Sequence, residues 1–438
     1  MLTKCDINIK INTYTILRTV ASGAVCGLPG LRGVMLNKEK LISLLNDKNP
    51  KKRRRVFKKL IKREEAENKN AEKLVTVKEA AGEKSFAPVT LNTATNYYYS
   101  RYTPSLAAYL AHVNDVAVIG VNDYGTVKGF KEFKFAADKA RLKYVYGYHA
   151  EVKPLFNEDY AVAYSYAVPF SCVKGLQKDL EPVRKIKFDY VKYVINEINK
   201  RLKKTKIKLS ESDVIKNSEY LFGGAVTEKH VAKVAAKILA EKFGAEKAAE
   251  FLTETLKLKL TDDEIRYIGD ADNEYILEDT ARILGEYIRK KFKCENLSTI
   301  KDIVDVNAKY GVITAYKLKI KTLDEGDLRL KCAALKENGV DGVAFNGKYL
   351  SGEDLVKAYD IIYDCELIPI EIVRAGMVRQ NIYIKTAGDM QLDVAYLLVG
   401  SAIAAACGAD ESFKGKSFAA CGEFKKKAEV FINAGKEA

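Results

Sequence analysis

Two blocks of this sequence alternate short apolar runs with amphipathic helical ones, and a long stretch without strand signal separates them. In the first block, residues 85–170, Val116–Asn122 (VAVIGVN), Lys143–His149 (KYVYGYH) and Ala161–Pro169 (AVAYSYAVP) read as buried strands. Thr103–His112 and Lys128–Ala140 read as the helices flanking them. In the second block, residues 298–406, helices Ser298–Lys309, Asp327–Asn338, Ser351–Tyr363 and Met390–Ala406 alternate with strands Gly311–Tyr316, Gly342–Phe345 and Leu367–Ile372. Strands that are apolar throughout need cover on both faces, so the rhythm predicts parallel strands under helices. Residues 171–297 carry only helical stretches: Lys187–Lys204, Thr227–Phe243, Ala245–Leu256 and Glu274–Phe292. The expected fold is a single α/β barrel in two halves, divided by a helical insertion.

The flanks are less regular. Residues 1–36 read as an irregular extension with a weak likeness to a signal peptide, whose apolar core Asn12, Thr13, Thr15 and Arg18 interrupt. In residues 37–84, two short helices around Asn46-Asp47 and Asn49-Pro50 precede an exposed, partly helical linker, Glu64–Lys84. Residues 407–438 read as a peripheral Lys-rich tail. The longest weakly polar run, Val394–Cys407, is too short to span a bilayer, so no membrane association is expected. Eight cysteines without any Cys-x-x-Cys pair offer neither a zinc ribbon nor a thioredoxin-like motif, and point to reduced thiols in the cytoplasm.

The net charge of +15 is local. Lys48–Arg63 holds ten basic residues and Lys200–Lys208 six, neither with an acid, which leaves the rest of the chain at about −1. Such runs can contact the phosphates of nucleic acid. However, Val56 and Leu60, like Phe57 and Ile61, are spaced four apart and form an apolar stripe that can dock the first run with its cations outward. No nucleic-acid module surrounds either run, so a solvated helix face is the expectation. The histidines number only three, His112, His149 and His230, which limits any site built from clustered imidazoles.

The stretch Leu91–Val152 resembles the PHP (polymerase and histidinol phosphatase) superfamily in the order of its motifs. Leu91-Asn92-Thr93-Ala94-Thr95, then Tyr97–Ser100 and Thr103-Pro104, stand where that family has a strand ending in His-x-His-Thr, a Ser/Tyr-rich loop and a helix. Val116–Val121 leads to Asp123-Tyr124-Gly125 in place of Asp-His and a Gly-rich turn, and Gly147-Tyr148-His149 replaces Gly-x-Glu. Gly223-Gly224-Ala225-Val226-Thr227-Glu228-Lys229-His230 matches the Val-Thr-Glu-x-His motif of a bacterial subfamily with a helical insert. Gly311–Tyr316 and Val378-Arg379-Gln380 also fit that subfamily. The resemblance implies a distorted (β/α)7 TIM-like barrel of PHP type that binds metal at the C-terminal ends of its strands.

The implied ligands are mostly missing. Asn92 and Ala94 replace the first two histidines, Tyr124 follows Asp123, and His149 stands in for a bridging carboxylate. A later histidine falls at Tyr166 or Phe170, Ile372 follows Glu371, and Gly400-Ser401-Ala402 replaces Gly-His-Glu. A multinuclear centre needs convergent nitrogen and oxygen donors, so the expected cofactor is none or a single divalent metal ion. Three roles follow. The expected one is a non-catalytic ligand-binding or interaction scaffold with a degraded metal site. An alternative is a phosphoesterase with Asp123, His149 and Glu371 on one metal, Glu151 nearby, and Asp123 and His230 in catalysis. The third is nucleic-acid association.

Asn92, Tyr124, Tyr148 and Tyr166 are the expected lining of a pocket for a small phosphorylated or aromatic ligand, or else its filling. The bland readings are that Asp123 caps a turn, His149 is bonded in the wall, His230 packs at a helix start, and His112 sits at a helix C-terminus.

Overall fold

The computed structural model describes residues 38–384, apart from residues 39, 73–88, 101, 114–117, 204, 206, 271–275, 347–349, 351, 372–374 and 379–380. Seven strands form one mixed sheet in chain order: β1 Val89–Thr93, β2 Val118–Tyr124, β3 Lys143–Val152, β4 Ala161–Tyr166, β5 Ile313–Lys317, β6 Gly342–Phe345 and β7 Ile368–Glu371. The triplets β1–β3 and β5–β7 are parallel within themselves. β4 runs antiparallel to both neighbours, which corrects the expectation of parallel strands throughout. The reason is chain length. Only residues 153–160 join β3 to β4, and a parallel crossover needs a dozen residues or more. β1 and β7 are not paired among the described residues, so the sheet is barrel-like but open. A separate hairpin, β8 Ala375–Val378 and β9 Asn381–Ile384, follows.

Register and alternation divide the sheet into two faces. One carries Val121, Tyr146, Tyr148, Tyr316 and Val343 and shares a core with α1 Pro50–Glu72, α2 Pro104–Val113 and α3 Phe130–Lys139. The later helices α10 Ile300–Ala308, α11 Glu325–Glu337 and α12 Gly352–Asp364 cover the rest of it. The other, inner face carries Asn122, Tyr124, His149, Glu151, Tyr164 and Tyr166. Between β4 and β5 comes the helical segment α4 Val173–Asp179, α5 Glu181–Leu202, α6 Glu211–Lys216, α7 Glu228–Glu254, α8 Asp262–Gly269 and α9 Ile276–Lys291, of which α5 and α7 meet the inner face through Lys187 and Glu228. Val191, Val194, Ile195, Val231, Leu252 and Leu284 give it a core of its own. Within α7 the helix breaks at Gly244, whose φ of 71° a side chain would strain, as the separate stretches on either side of it predict.

The first basic run folds as its stripe requires. Val56, Phe57, Leu60 and Ile61 are buried, and Arg53 turns inward to a two-point contact with Glu132. The helical part of the segment from Glu64 is the end of α1, which continues to Glu72. Its carboxylate Glu64 accepts from Tyr109 and pairs with His112 and Lys38, which ties α1 to α2 at this position. The expected extension 1–36, the helix Met390–Ala406 and the tail 407–438 lie outside the described residues.

Candidate functional site

The inner face is built around a missing side chain. A Cβ on Gly147 would stand 1.9 Å from the Ser165 carbonyl oxygen and 3.2 Å from Asn122 Nδ2. On the same face Tyr166 of β4 donates to Asn92 Oδ1 on β1 at 3.0 Å. Tyr164 stacks on Tyr166 with centroids 6.1 Å apart. Above them His149 packs against Tyr164 at 5.7 Å, edge-on to Tyr124 at 5.5 Å and to Tyr98 at 4.8 Å. His149 Nδ1 lies 3.0 Å from the Asn122 carbonyl oxygen. A carbonyl only accepts, so Nδ1 carries the proton. An aromatic column thus runs from the floor of the sheet to its mouth.

Beyond that column sits an ion triplet. Lys187 Nζ of α5 lies 2.7 Å from Glu151 Oε2 at the end of β3 and 2.8 Å from Glu228 Oε2 at the start of α7. All three are buried, with Lys187 only 2% exposed. The ammonium also faces the rings of Tyr124 and Tyr190 at 5.5 and 5.0 Å. Burial alone pushes a lysine down, yet the two carboxylates hold Lys187 well above its usual range. Burial pushes both carboxyls up. The ammonium outweighs this at Glu228, which ends below its ordinary value, whereas Glu151, with Glu228 as a second anion nearby, ends above.

The expected site residues are not brought together. Asp123 pairs in register with Tyr148, and Tyr124 with His149, so alternation sends Asp123 and His149 to opposite faces. Tyr148, expected in the pocket, instead donates to Asn307 Oδ1 of α10 at 2.6 Å on the helix-covered side. Asp123 is fully buried and accepts both the Thr95 amide and the Thr95 hydroxyl at 2.6 Å. Burial raises its carboxyl to about 7, although the Thr95 bonds pull the other way. It anchors the loop after β1.

Glu371 ends β7 in register with Phe345, which belongs to the helix-covered face, and its side chain lies outside the described residues. His230 is the third residue of α7. Its Nδ1 accepts the Thr227 amide at 3.1 Å, completing a capping box with the hydroxyl of Thr227. Burial, with Lys233 and Lys229 nearby, holds it down to about 3 despite Glu228, so it is neutral. His112 closes α2, as expected, and pairs with Glu64.

Asn92, Tyr124 and Tyr166 do share the inner face. Lys187 and Glu228 were not among the expected site residues. The signal for Lys187 was there: it stands four residues from both Val183 and Val191, so a lysine occupies the apolar stripe of α5.

A metal centre of the kind the PHP resemblance implies does not fit these donors. Asp123 is tied to Thr95 and faces away from His149, and Glu151 is held by Lys187, so neither carboxylate is placed to join His149 on a metal. Among the described residues no three His, Cys, Asp or Glu side chains converge as metal ligands. No protein-family model matches the chain, and no curated protein does. Among solved structures, a Bifidobacterium adolescentis protein described as a metal-dependent phosphoesterase is similar at 11% identity and a TM-score of 0.42, covering 66% of this chain and 87% of its own. An amidohydrolase from Chromobacterium violaceum is similar at 11% identity and a TM-score of 0.44, covering 66% and 89%.

Proposed function

We propose that this chain is a PHP-type barrel scaffold whose metal region is filled by its own side chains, and that it binds a ligand or partner rather than hydrolysing a phosphoester. The ion triplet carries this reading. Where the inner face brings two buried carboxylates together, the cation between them is Lys187 of the same chain. An ammonium fixed there offsets the charge of both carboxylates and repels a divalent ion. The tyrosines and His149 occupy the neighbouring volume without an unpaired charge.

In this reading residues 85–170 and 298–406 are the barrel halves, 171–297 the insertion, 37–84 a basic helical segment, and 1–36 and 407–438 the flanks of a cytoplasmic protein. The mouth suits a small aromatic or phosphorylated ligand. Half-buried Tyr98 and Tyr99 sit under Lys229, whose Nζ is 4.9 and 5.8 Å from their ring centres. The alternative of a phosphoesterase on Asp123, His149 and Glu371 would need Asp123 released from Thr95 and turned to the other face.

The test is a phosphoesterase assay with p-nitrophenyl phosphate across added Mn²⁺ and Zn²⁺. The expected rate equals that of buffer with the same metal. A saturable, enzyme-dependent turnover contradicts the proposal.

A further inference from the structure

The outer face of α1 is a feature that the inner face leaves unused. With Val56, Phe57, Leu60 and Ile61 buried and Arg53 turned to Glu132, the remaining cations point away from the core. Helical geometry places Lys51, Arg55, Lys58 and Lys62 in one line opposite the buried stripe, at steps of about 4.5–6 Å along the axis. All four are exposed. Of the nearby acids, Asp47 is engaged by Lys52 and Glu64 by Lys38 and His112, while exposed Glu65 lies at the C-terminal end of the row, three residues from Lys62.

The neighbouring helix α3 extends the surface with exposed Lys131 and Lys139. Its two acids are also engaged, Glu132 by Arg53 and Asp138 by Lys134. Phe135 does not open an apolar spot between the helices, because Arg54 and Lys58 lie over its ring at 5.3 and 5.5 Å.

Like charges four residues apart on a helix repel, and a face that only keeps a protein soluble mixes both signs. Here Lys51 and Arg55, and Lys58 and Lys62, repel, and Glu65 stands within a turn of only the last of the four. An external polyanion supplies the missing charge. We propose that this face binds the phosphate backbone of nucleic acid, without reading its sequence. A linear row of cations matches a linear row of phosphates, and duplex DNA carries one charge per about 1.7 Å. An embedded membrane helix is a poor fit, since the apolar side of α1 is already committed to the core and none remains to enter a bilayer. The helix also lies flat against α2 and α3, which leaves phosphates, not base edges, within reach.

Fluorescence anisotropy of the full chain with a labelled duplex of mixed sequence, from about 50 to 200 mM salt, tests this. The expected result is binding that weakens steeply with salt and is equal for unrelated sequences. The variant K51Q/R55Q/K58Q/K62Q keeps its circular dichroism spectrum, because all four side chains are exposed. It binds at least tenfold more weakly at low salt and loses about three to four from the log–log salt slope. The charge-conserving variant K51R/K58R/K62R retains binding. No binding of the parent chain at 50 mM salt overturns the proposal, as does equal binding by the glutamine variant or loss of binding in the arginine variant. Capture by phosphatidylserine vesicles without duplex binding also overturns it.

Discussion

A buried ammonium persists only where anions and aromatic faces surround it, and Lys187 has two carboxylates and two tyrosine rings. Lys187→Met leaves Glu151 and Glu228 buried without a cation. It is expected to cost about 3–5 kcal/mol in urea unfolding. The triple variant Glu151→Gln/Lys187→Met/Glu228→Gln should recover much of that loss, and failure to recover would mean the triplet is not the source. Gly147→Ala drives a methyl into the Ser165 carbonyl and should leave the chain largely insoluble or destabilised by more than about 3 kcal/mol.

Asp123 gives a pH signature. Its folded value of about 7 lies above its ordinary 3.8, so folding favours the protonated form. Its contribution is full below about pH 4 and is lost as pH rises toward 7, by up to a few kcal/mol. Asn at this position can still accept from the Thr95 amide and donate to its hydroxyl. Melting temperatures should therefore show Asp123→Asn gaining on the parent between pH 4 and pH 8. A constant difference across that range would count against a neutral buried Asp123.

At the scale of elements, α1 is fastened through Phe57, which is fully buried and edge-on to Tyr109 at 6.5 Å. Phe57→Ala should cost about 3–5 kcal/mol, read by chemical denaturation, whereas Lys59→Ala on the exposed side should change stability by less than about 0.5 kcal/mol. Much of this level was legible beforehand. The strands around Ile119, Tyr146, Val343 and Ile370 lie where apolar runs place them, and the docking stripe of α1 followed from spacing alone. The direction of β4 was equally legible in the short connection at residues 153–160, but the alternation of the block pointed the other way.

The candidate site was harder to read, for a physical reason. A strand motif gives the order of Asp123, Tyr124, Tyr148 and His149, but only register decides that Asp123 and Tyr148 turn outward while Tyr124 and His149 turn inward. Lys187 comes from a helix 36 residues beyond Glu151, a pairing that no local pattern announces.

For the whole molecule, the two cores explain the layout. One lies between the sheet and its outer helices and the other within the insertion, and the triplet of Glu151, Lys187 and Glu228 ties the sheet to helices α5 and α7. In the proposed reading, tyrosines and an internal cation fill the inner face in place of a bound ion. Metal binding tests that most directly. After equilibration of the full-length protein with Mn²⁺ or Zn²⁺ and removal of excess, the metal retained per chain is measured by mass spectrometry. The account predicts well below one ion per chain, unchanged in His149→Ala. Stoichiometric metal that disappears in His149→Ala would contradict it.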